Sequence, residues 1–407
     1  MRRGTGQEEV RRHNLSVLLR HLHAAGPTTR SDLTARTGLN RSTIGVLVGD
    51  LAARGFVVEG KATATGGPGR PSPPVHPRPE GAVALALEVD VDSLAAATVG
   101  LGGHVLGRRR VDRPGGRFSP EDTVDELARL ARPLLRRLPA GAPVVAAGVA
   151  VVGLVRVGDG CVRVAPNLGW VDVPLAALVR RRLRLRVPVA VGNEADLGAR
   201  SEHVRGAGVG IDDLVYLSGE VGVGAGIIVG GRHLGGAEGY GGEVGHLPVN
   251  PTGQACGCGS VGCWETEVGE GALLRRAGRS AEPGDRTAVR TLLDDARAGD
   301  DAARAAVEAV GRWLGVGLAG VVNVFNPRRV VLGGLFAELH PLVARTVDAE
   351  LDGRALDASR AVVDVVVSAL GVDAPLLGAA ELALDELLGD PTRMPPLAEQ
   401  NKDAARE

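Results

Sequence analysis

Three of the four cysteines in this 407-residue chain lie within eight positions of one another, and a histidine precedes them. They are Cys256, Cys258 and Cys263, and His246 stands ten positions before the first. Three thiolates and one imidazole match a tetrahedral structural zinc site, and four protein ligands leave no open position for catalysis. Buried cysteines, or one disulfide with a spare thiol, are the alternatives. Cys256 and Cys258 are too close to pair comfortably, and cytosolic thiols stay reduced. We therefore predict a structural Zn²⁺ held by these four side chains.

Two carboxylates flank the predicted metal site. Glu243 stands three residues before His246, and Glu265 stands two residues after Cys263. Glycines between the cysteines allow the loop to turn sharply enough to direct the sulfurs at one point. Because the metal would fix the loop, it would also fix both carboxylates. The sequence therefore predicts a rigid polar wall suited to binding hydroxyl groups.

The first 78 residues are basic, whereas the remainder of the chain is acidic. They contain twelve Lys or Arg residues and five Asp or Glu residues, a net charge of +7, although the whole chain carries −1. A basic end on an acidic body indicates a polyanionic partner for that end. Leucines at 15, 18, 19 and 22 predict a first helix, which Gly26-Pro27 ends.

The third predicted helix, over 41–54, has the features of a recognition helix. A tight turn precedes it, a strand follows from Phe56, and the glycine-rich segment 66–71 predicts a wing tip. The residues expected to contact DNA are Asn40, Arg41, Ser42 and Thr43 at the helix start and Arg70 on the wing. A scaffold for protein contacts is the alternative. We place a winged helix-turn-helix domain over 1–70 and a proline-rich linker over 71–80.

Composition limits the class of protein. Hydrophobic residues make up 44% of the chain and mean hydropathy is +0.08, which permits a large core; aromatic residues are only 2%, so that core must be aliphatic. The sequence has no run of 18 or more uncharged apolar residues and no apolar signal-peptide segment at its start. We expect a cytoplasmic protein without a membrane partner.

Residues 81–390 contain the same order of predicted strands and helices twice. Apolar runs at 83–89 and 95–99 predict a first pair of strands, and runs at 214–218 and 224–229 predict a second pair. Further strands and helices follow each pair. Two such halves predict a two-lobed α/β fold with a cleft between the lobes. Residues 391–407 are predicted to be a polar tail.

The chain resembles the ROK family, a group of repressors, open reading frames and sugar kinases. The likeness covers almost all of residues 10–390. It is most specific in G-E-V-G-H at 242–246 and C-G-C-G-S-V-G-C-W-E at 256–265, and it extends to segments 165–170 and 323–334. The resemblance implies an actin-like, hexokinase-type ATPase fold, preceded by the small winged helix-turn-helix domain of the repressor branch.

The resemblance also implies the residues that bind a sugar. They are Asn167, Asn193, Glu194, Glu243, His246 and Glu265. His246 would direct one ring nitrogen at zinc and the other at a sugar hydroxyl. For Asn167 and Asn193, stabilisation of turns is the alternative role.

The phosphate-handling positions depart from the kinase pattern of the family. The family's D-x-G-x-T hairpin is E-V-D-V-D at 88–92, and its second loop, which starts G-T-G, is G-E-V-G-V-G at 219–224. Glu194 stands where the kinases carry the catalytic Asp. Added carboxylates repel phosphate, and an extra methylene moves a base out of line. We therefore predict that catalytic activity is lost.

These features favour a sugar-responsive DNA-binding transcriptional regulator, more specifically a repressor, whose degenerate kinase domain senses a ligand. The expected partners are operator DNA, a sugar or sugar phosphate, and further copies of the chain in a homodimer or homotetramer. An ATP-dependent sugar kinase of the glucokinase or N-acetylmannosamine kinase type, carrying a DNA-binding tail, is the alternative. A protein-binding adaptor is a third possibility.

Overall fold

The N-terminal part of the chain is a three-helix module with a small antiparallel sheet. The computed structural model describes residues 6–60, 72–113, 118–280 and 284–397. The module contains α1 (Gln7–Ala25), β1 (Thr28–Thr29), α2 (Arg30–Thr37), α3 (Arg41–Ala53), β2 (Val57–Glu59) and β3 (Pro74–Pro77), and its strand order is β1-β3-β2. The three predicted helices are confirmed. Arg70 and the rest of the predicted wing tip lie outside the described residues.

Short polar side chains and one glycine set the helix boundaries in this module. The Thr29 hydroxyl accepts a hydrogen bond from the Asp32 amide (3.2 Å), which caps α2. Gly38 ends α2 in the left-handed conformation, with φ of 70°. The Asn40 side-chain oxygen accepts from the Thr43 amide (2.8 Å) and caps α3. These local signals fix the angle between α2 and α3.

The predicted linker over 71–80 is wrong for Pro74–Pro77. This segment is β3, the central strand of the module's sheet, and it pairs with β1 on one side and β2 on the other. Proline-rich backbone is already extended, and the two prolines occupy the ends of the strand, where missing amides cost least. Val75, between them, is fully buried. The module is therefore joined to the body without a free spacer.

The predicted polar tail is also wrong where the structure describes it, up to residue 397. Pro391 is buried, and a short 3-10 turn spans Pro391–Arg393. Arg54 of the module hydrogen-bonds the Met394 carbonyl, and Leu397 lies against Gly55. The end of the body is thus docked on the N-terminal module.

The first lobe is built on a five-stranded mixed sheet. Its elements are β4 (Val83–Val89), β5 (Ser93–Gly100), β6 (Val105–Asp112), α4 (Pro120–Arg136), β7 (Val144–Val151), β8 (Leu154–Arg156), β9 (Cys161–Ala165), β10 (Trp170–Val173), α5 (Leu175–Leu183), β11 (Val189–Asn193) and α6 (Glu194–Arg205). The sheet order is β6-β5-β4-β7-β11, in which β4, β5 and β6 are antiparallel and β7 and β11 run parallel to β4. The strands β8, β9 and β10 form a separate small sheet.

The second lobe repeats this topology. Its elements are β12 (Leu214–Gly219), β13 (Val223–Val229), β14 (Arg232–His233), α7 (Glu265–Val268), α8 (Glu270–Arg276), α9 (Arg286–Ala298), α10 (Asp301–Phe325), β15 (Arg329–Gly333), α11 (Gly334–Arg354), α12 (Asp357–Arg360), β16 (Asp364–Val367) and α13 (Ala374–Gly389). Its sheet order, β14-β13-β12-β15-β16, again places three antiparallel strands before two parallel ones. The predicted two-lobed α/β fold is confirmed.

The last helix, α13, returns to the first lobe and joins it to the module. Leu384 and Leu387 of α13, Ala84 of β4 and Leu18 and Leu22 of α1 belong to one continuous core. The Ser16 hydroxyl donates to the Leu388 carbonyl (2.7 Å) inside this interface. Because the apolar face of α1 is shared between module and body, the two parts form a single packed unit.

Within the described residues, α10 alone is long and apolar enough to cross a membrane by length and composition. About 61% of its most apolar window is buried in the protein. Leu314, Leu318 and Val322 belong to the core of the second lobe. Its composition is therefore explained by its place as a core helix.

Candidate functional site

The loop before α7 brings the predicted metal ligands together. The ligand atoms of His246, Cys256, Cys258 and Cys263 all lie within 4.8 Å of one another. The Cys256 amide donates to the Ser260 carbonyl (2.8 Å), which closes the turn between the cysteines. At Gly262, with φ of 69°, a Cβ would come within 1.6 Å of the Asn250 carbonyl oxygen. Only glycine allows the loop to fold this tightly.

The cluster has dimensions suited to a tetrahedral zinc ion. The Cys258 and Cys263 sulfurs are 3.6 Å apart, and the Cys256 sulfur lies 3.6 Å from Nδ1 of His246. Zn–S and Zn–N bonds of about 2.3 and 2.0 Å imply ligand separations of roughly 3.5–3.8 Å. All three thiols are free of disulfides. The cluster is therefore able to hold a metal, and His246 presents Nδ1 to it.

The two predicted wall carboxylates lie against this cluster. A Glu265 oxygen is 3.7 Å from Nδ1 of His246 and 2.9 Å from the Cys256 sulfur. A Glu243 oxygen lies 3.9 Å from Nε2 of His246, on the other side of the ring. The ring therefore directs one nitrogen at the cysteines and the other at Glu243. One oxygen of Glu265, Oε1, faces the cysteine and histidine cluster, whereas the other, Oε2, lies beside Gly222.

The remaining predicted sugar residues converge on the same wall. A Cβ built at Gly222 would lie 3.1 Å from a Glu265 oxygen and 3.8 Å from Nδ2 of Asn167. A Cβ built at Gly224 would lie 2.8 Å from an oxygen of Glu194. The β12–β13 turn thus places side chains of both lobes on one cleft surface. The absence of side chains at these glycines leaves that surface open.

Asn193 uses its whole amide inside the protein. Its oxygen accepts from the amides of Ala195 (2.8 Å) and Asp196 (3.2 Å), which caps α6. Its nitrogen donates to the Gly153 carbonyl (3.0 Å) and to Glu194 (2.8 Å). The turn-stabilising role left open by the sequence is present, so a ligand must exchange one of these bonds to reach Asn193.

Burial raises the pKa of Glu194 to about 8, and the nearby carboxylates of Asp90 and Glu243 add to the rise. At neutral pH this half-buried side chain is mostly protonated. A neutral carboxyl donates a hydrogen bond to a hydroxyl well, but it removes a proton poorly. Glu194 is therefore able to donate a hydrogen bond to a hydroxyl group at neutral pH.

An arginine that the sequence reading missed occupies the phosphate side of the cleft. Arg286, the first residue of α9, lies 2.8 Å from an oxygen of Asp90 and 3.2 Å from one of Glu220, and it also pairs with Asp92. Asp90 and Asp92 belong to the β4–β5 turn, and Glu220 belongs to the β12–β13 turn. One guanidinium therefore links the hairpin turns of both lobes. No motif marks Arg286, because its partners are about 65 and 195 residues away in sequence.

The phosphate side also contains carboxyl groups whose pKa is raised by burial. Burial raises the pKa of Glu88 to about 7, although the paired Arg110 opposes the change (2.9 Å). Burial and Asp90 raise the pKa of Glu220 well above its usual value. Burial, with Asp92, raises the pKa of Glu270 to about 7. These carboxyl groups are therefore partly protonated at neutral pH, and Glu88 and Glu220 occupy the predicted phosphate-handling positions.

The start of α3 presents only part of the predicted DNA-contacting set. Arg41 and Ser42 are exposed, whereas Thr43 is half-buried. The Asn40 oxygen is already engaged by the Thr43 amide and by the Ser42 hydroxyl (2.7 Å). Val46, which the sequence reading missed, is 66% exposed on the same helix. The apolar residues of α3 that face the core form one stripe, and Val46 lies outside it. This position in the sequence could have identified Val46 as an exposed apolar residue.

A separate cavity of about 840 Å³ opens beside the N-terminus of α6. It is lined by Asn193, Asp196, His233 and several valines, but not by Glu243 or Glu265. Of the predicted sugar-binding residues, Asn193 is the one that lines this cavity.

The sequence and the fold are both similar to those of known proteins. The ROK family model matches residues 84–386. The xylose repressor of Bacillus subtilis strain 168 is 29% identical over 384 residues, which cover 94% of this chain and 97% of the repressor. A glucokinase of Streptomyces coelicolor is 32% identical, but the match covers 74% of this chain and 97% of the kinase. The crystal structure of a ROK family transcriptional regulator, a homologue of the E. coli MLC protein, shares the fold with a TM-score of 0.76 at 24% identity, covering 94% of this chain and 97% of its own.

Proposed function

Because the chain belongs to the ROK family, we propose that it is a sugar-responsive transcriptional repressor whose two-lobed body binds a ligand and does not phosphorylate it. The observation that carries the proposal is the extent of the matches. The xylose repressor aligns over 94% of the chain, whereas the glucokinase aligns over 74%. The longer match includes the N-terminal module, whose helix-turn-helix arrangement a kinase does not need.

The proposed sugar site is the polar wall across the cleft. It comprises Asn167, Asn193, Glu194, Glu243, His246 and Glu265. Carboxyl and amide groups at this spacing bind neighbouring hydroxyls, and a closing cleft strengthens those bonds by excluding water. The wall is fixed by a structural Zn²⁺ on His246, Cys256, Cys258 and Cys263. D-Xylose is the first ligand to test, because it gives the xylose repressors their name.

The proposed DNA site is the start of α3 with the wing. Arg41 and Ser42 would reach base edges or phosphates, Asn40 and Thr43 would hold the helix end, and Arg70 would contact the backbone or minor groove. A homodimer or homotetramer in the cytoplasm would present two such modules to half-sites spaced by whole helical turns. Sugar binding would change operator affinity through a coupling free energy of about 1–3 kcal/mol.

Loss of kinase activity is the other part of the proposal. Arg286 neutralises the two hairpin turns internally, and the surrounding carboxylates oppose a triphosphate. The second candidate, an ATP-dependent sugar kinase with a DNA-binding tail, is favoured by one observation, the 32% identity to the Streptomyces glucokinase.

A ligand panel separates the two candidates. Purified full-length protein is melted with D-xylose, glucose, N-acetylglucosamine, their phosphates and ATP, and its affinity for operator DNA selected from a random pool is measured with each compound. We expect one sugar or sugar phosphate to raise the melting temperature and weaken operator binding, while ATP does neither. Consumption of ATP in the presence of a sugar would establish the kinase instead. An operator affinity that no compound changes would exclude the sugar-responsive repressor.

A further inference from the structure

Two carboxylates on α13 each join α1 of the DNA-binding module to α6 of the body. Glu381 and Asp385 stand one helical turn apart on α13. Glu381 contacts His23 of α1 and Arg205 of α6, whereas Asp385 contacts Arg20 of α1 and Arg200 of α6. We name these the inner bridge, His23–Glu381–Arg205, and the outer bridge, Arg20–Asp385–Arg200.

The inner bridge is buried and its hydrogen bonds define its geometry. The Gly102 amide donates to Nδ1 of His23 (3.0 Å), and Nε2 of the same ring lies 3.0 Å from a Glu381 oxygen and also contacts the Arg205 guanidinium. Arg205 donates to Glu381, to the His23 carbonyl (3.1 Å) and to the Gly102 carbonyl (2.9 Å). The Arg205 guanidinium therefore touches the module, the first lobe and α13 together.

Glu381 is ionised in this setting. Burial alone would raise the pKa of Glu381, but the contacts with His23 and Arg205 outweigh it and hold the value at about 2. The His23 and Glu381 side chains are 2% and 4% exposed. Removing one partner of a buried ion pair leaves an uncompensated charge, so this bridge tolerates few relative positions of α1 and α6.

The outer bridge connects the same three helices with much weaker constraint. The Asp385 oxygen lies 2.8 Å from Arg20 and 3.1 Å from Arg200. All three side chains are between 31% and 45% exposed. Exposed ion pairs are screened by solvent and contribute little, so Arg200 is a natural control for Arg205 on the same helix.

The other end of α6 lies in the proposed sugar site. Asn193 caps the helix and Glu194 is its first residue, while Arg205 is its last. Twelve α-helical residues span about 18 Å and move as one rod. Gly378 of α13 approaches α6 so closely that a Cβ would lie 1.9 Å from the Leu197 carbonyl oxygen. A shift at the sugar end of α6 must therefore reach Arg205, because α13 packs too closely against α6 for the helix to bend or move sideways.

We propose that Arg205 positions the DNA-binding module, and that α6 carries the effect of a sugar at Asn193 and Glu194 to that module through the inner bridge. The part concerning sugar rests on the function proposed above. This route replaces signalling through a free linker, because β3 occupies four of the ten residues of the predicted linker segment and is paired on both sides. Rigid elements with close contacts at both ends are the physical carriers of such coupling.

The test compares Arg205→Met with Arg200→Met in the full-length protein. Methionine keeps the aliphatic stem and removes the guanidinium. Binding is measured to the selected operator and to operators whose half-sites are moved apart by one base pair, with and without D-xylose. Two affinity ratios are compared: the selected operator against the respaced operator (the spacing preference), and the selected operator without against with D-xylose (the sugar effect). For Arg205→Met we expect each ratio to fall about 10-fold, towards a value of one. For Arg200→Met we expect both to stay within about twofold of wild type. Wild-type values for both quantities in Arg205→Met would overturn the proposal.

The spacing measurement needs no sugar, so it separates this proposal from the proposed function. A wild-type protein that ignores D-xylose and the other sugars contradicts the sugar-responsive function, while a relaxed spacing preference in Arg205→Met still supports the positioning role. If Arg205→Met does not fold, the isosteric Glu381→Gln takes its place. Failure of both variants to fold would contradict the proposal, because the inner bridge would then hold the core rather than orient the module.

Discussion

The two sides of the cleft treat their charged groups in opposite ways. On the wall side, Glu243 and Glu265 stand beside His246 without a basic arginine or lysine partner among the described ion pairs. On the phosphate side, Asp90, Asp92 and Glu220 share the guanidinium of Arg286. Glu243 and Glu265 therefore have no arginine that would compete with a ligand among the described ion pairs, whereas the carboxylates of the phosphate side are paired within the protein.

In the proposed function, this contrast separates sugar binding on the wall from phosphoryl transfer on the opposite side. An internal arginine stabilises two hairpin turns that would otherwise repel each other through their carboxylates. The same arginine pairs with the hairpin turns of both lobes. Sensing requires only the wall and a connection to the module, so it survives this change.

Removal of one cysteine from the metal cluster should have the largest effect. Cys258 is exposed, so Cys258→Ser creates no buried cavity, yet it removes one of four ligands that would fix the wall. We expect loss of bound zinc and a fall in melting temperature of at least about 5 °C, because metal binding contributes directly to folding. Metal analysis and thermal denaturation measure both.

Cys161→Ser is the matched control, since Cys161 is the one cysteine outside the cluster. It should keep the metal and change the melting temperature less. Equal metal content and equal melting in Cys258→Ser and wild type would disprove the structural zinc site.

Arg286→Ala tests the phosphate side of the comparison. The substitution leaves Asp90, Asp92 and Glu220 close together without their shared cation. We expect a loss of roughly 2–3 kcal/mol in the free energy of unfolding. Chemical denaturation measures it, and Arg279→Ala, which breaks the exposed pair with Asp295, should cost less than about 1 kcal/mol. If the two variants unfold alike, Arg286 is not the group that stabilises the cleft.

Glu243→Gln tests the wall side. A hydrogen bond between a sugar hydroxyl and a charged group contributes about 1.5–3 kcal/mol, so affinity for the sugar found in the ligand panel should fall about 10–100-fold by calorimetry. Glu220→Gln, on the phosphate side, should leave sugar affinity within about threefold. A larger loss in Glu220→Gln than in Glu243→Gln would reverse the assignment of the two sides.

Glu194 should also make stability depend on pH. Its pKa is about 8 in the folded protein, above the ordinary value of 4.5. The folded state therefore binds this proton more tightly than the unfolded state, and that stabilisation is lost as pH rises between the two values. We therefore expect the difference in melting temperature between Glu194→Gln and wild type to shift in favour of the variant when pH is raised from about 5 to about 9. The exposed Glu238→Gln should show no such trend, and a pH-independent difference for Glu194→Gln would contradict the raised pKa.

Much of the fold was predictable because its signals are local. The cysteine spacing predicted the cluster that the structure assembles, and Asn40 and Gly38 predicted the boundaries of α3 and α2. Alternating apolar runs predicted the strands that open each lobe. The linker over 71–80 was misread because proline-rich backbone looks the same free or within a sheet. Only the pairing of β3 with β1 and β2 distinguishes the two cases.

The amino-acid sequence by itself determined the histidine and cysteine cluster that could hold a metal, the two repeated lobes and the helices of the basic N-terminal module, since each depends on residues close together in the chain. The tertiary structure alone decided that the module is docked, that Arg286 occupies the phosphate side, and that Arg205 reaches His23 across 182 residues. These contacts join distant segments through single side chains. No periodicity or motif records them, because their partners are chosen by how the lobes and α13 pack.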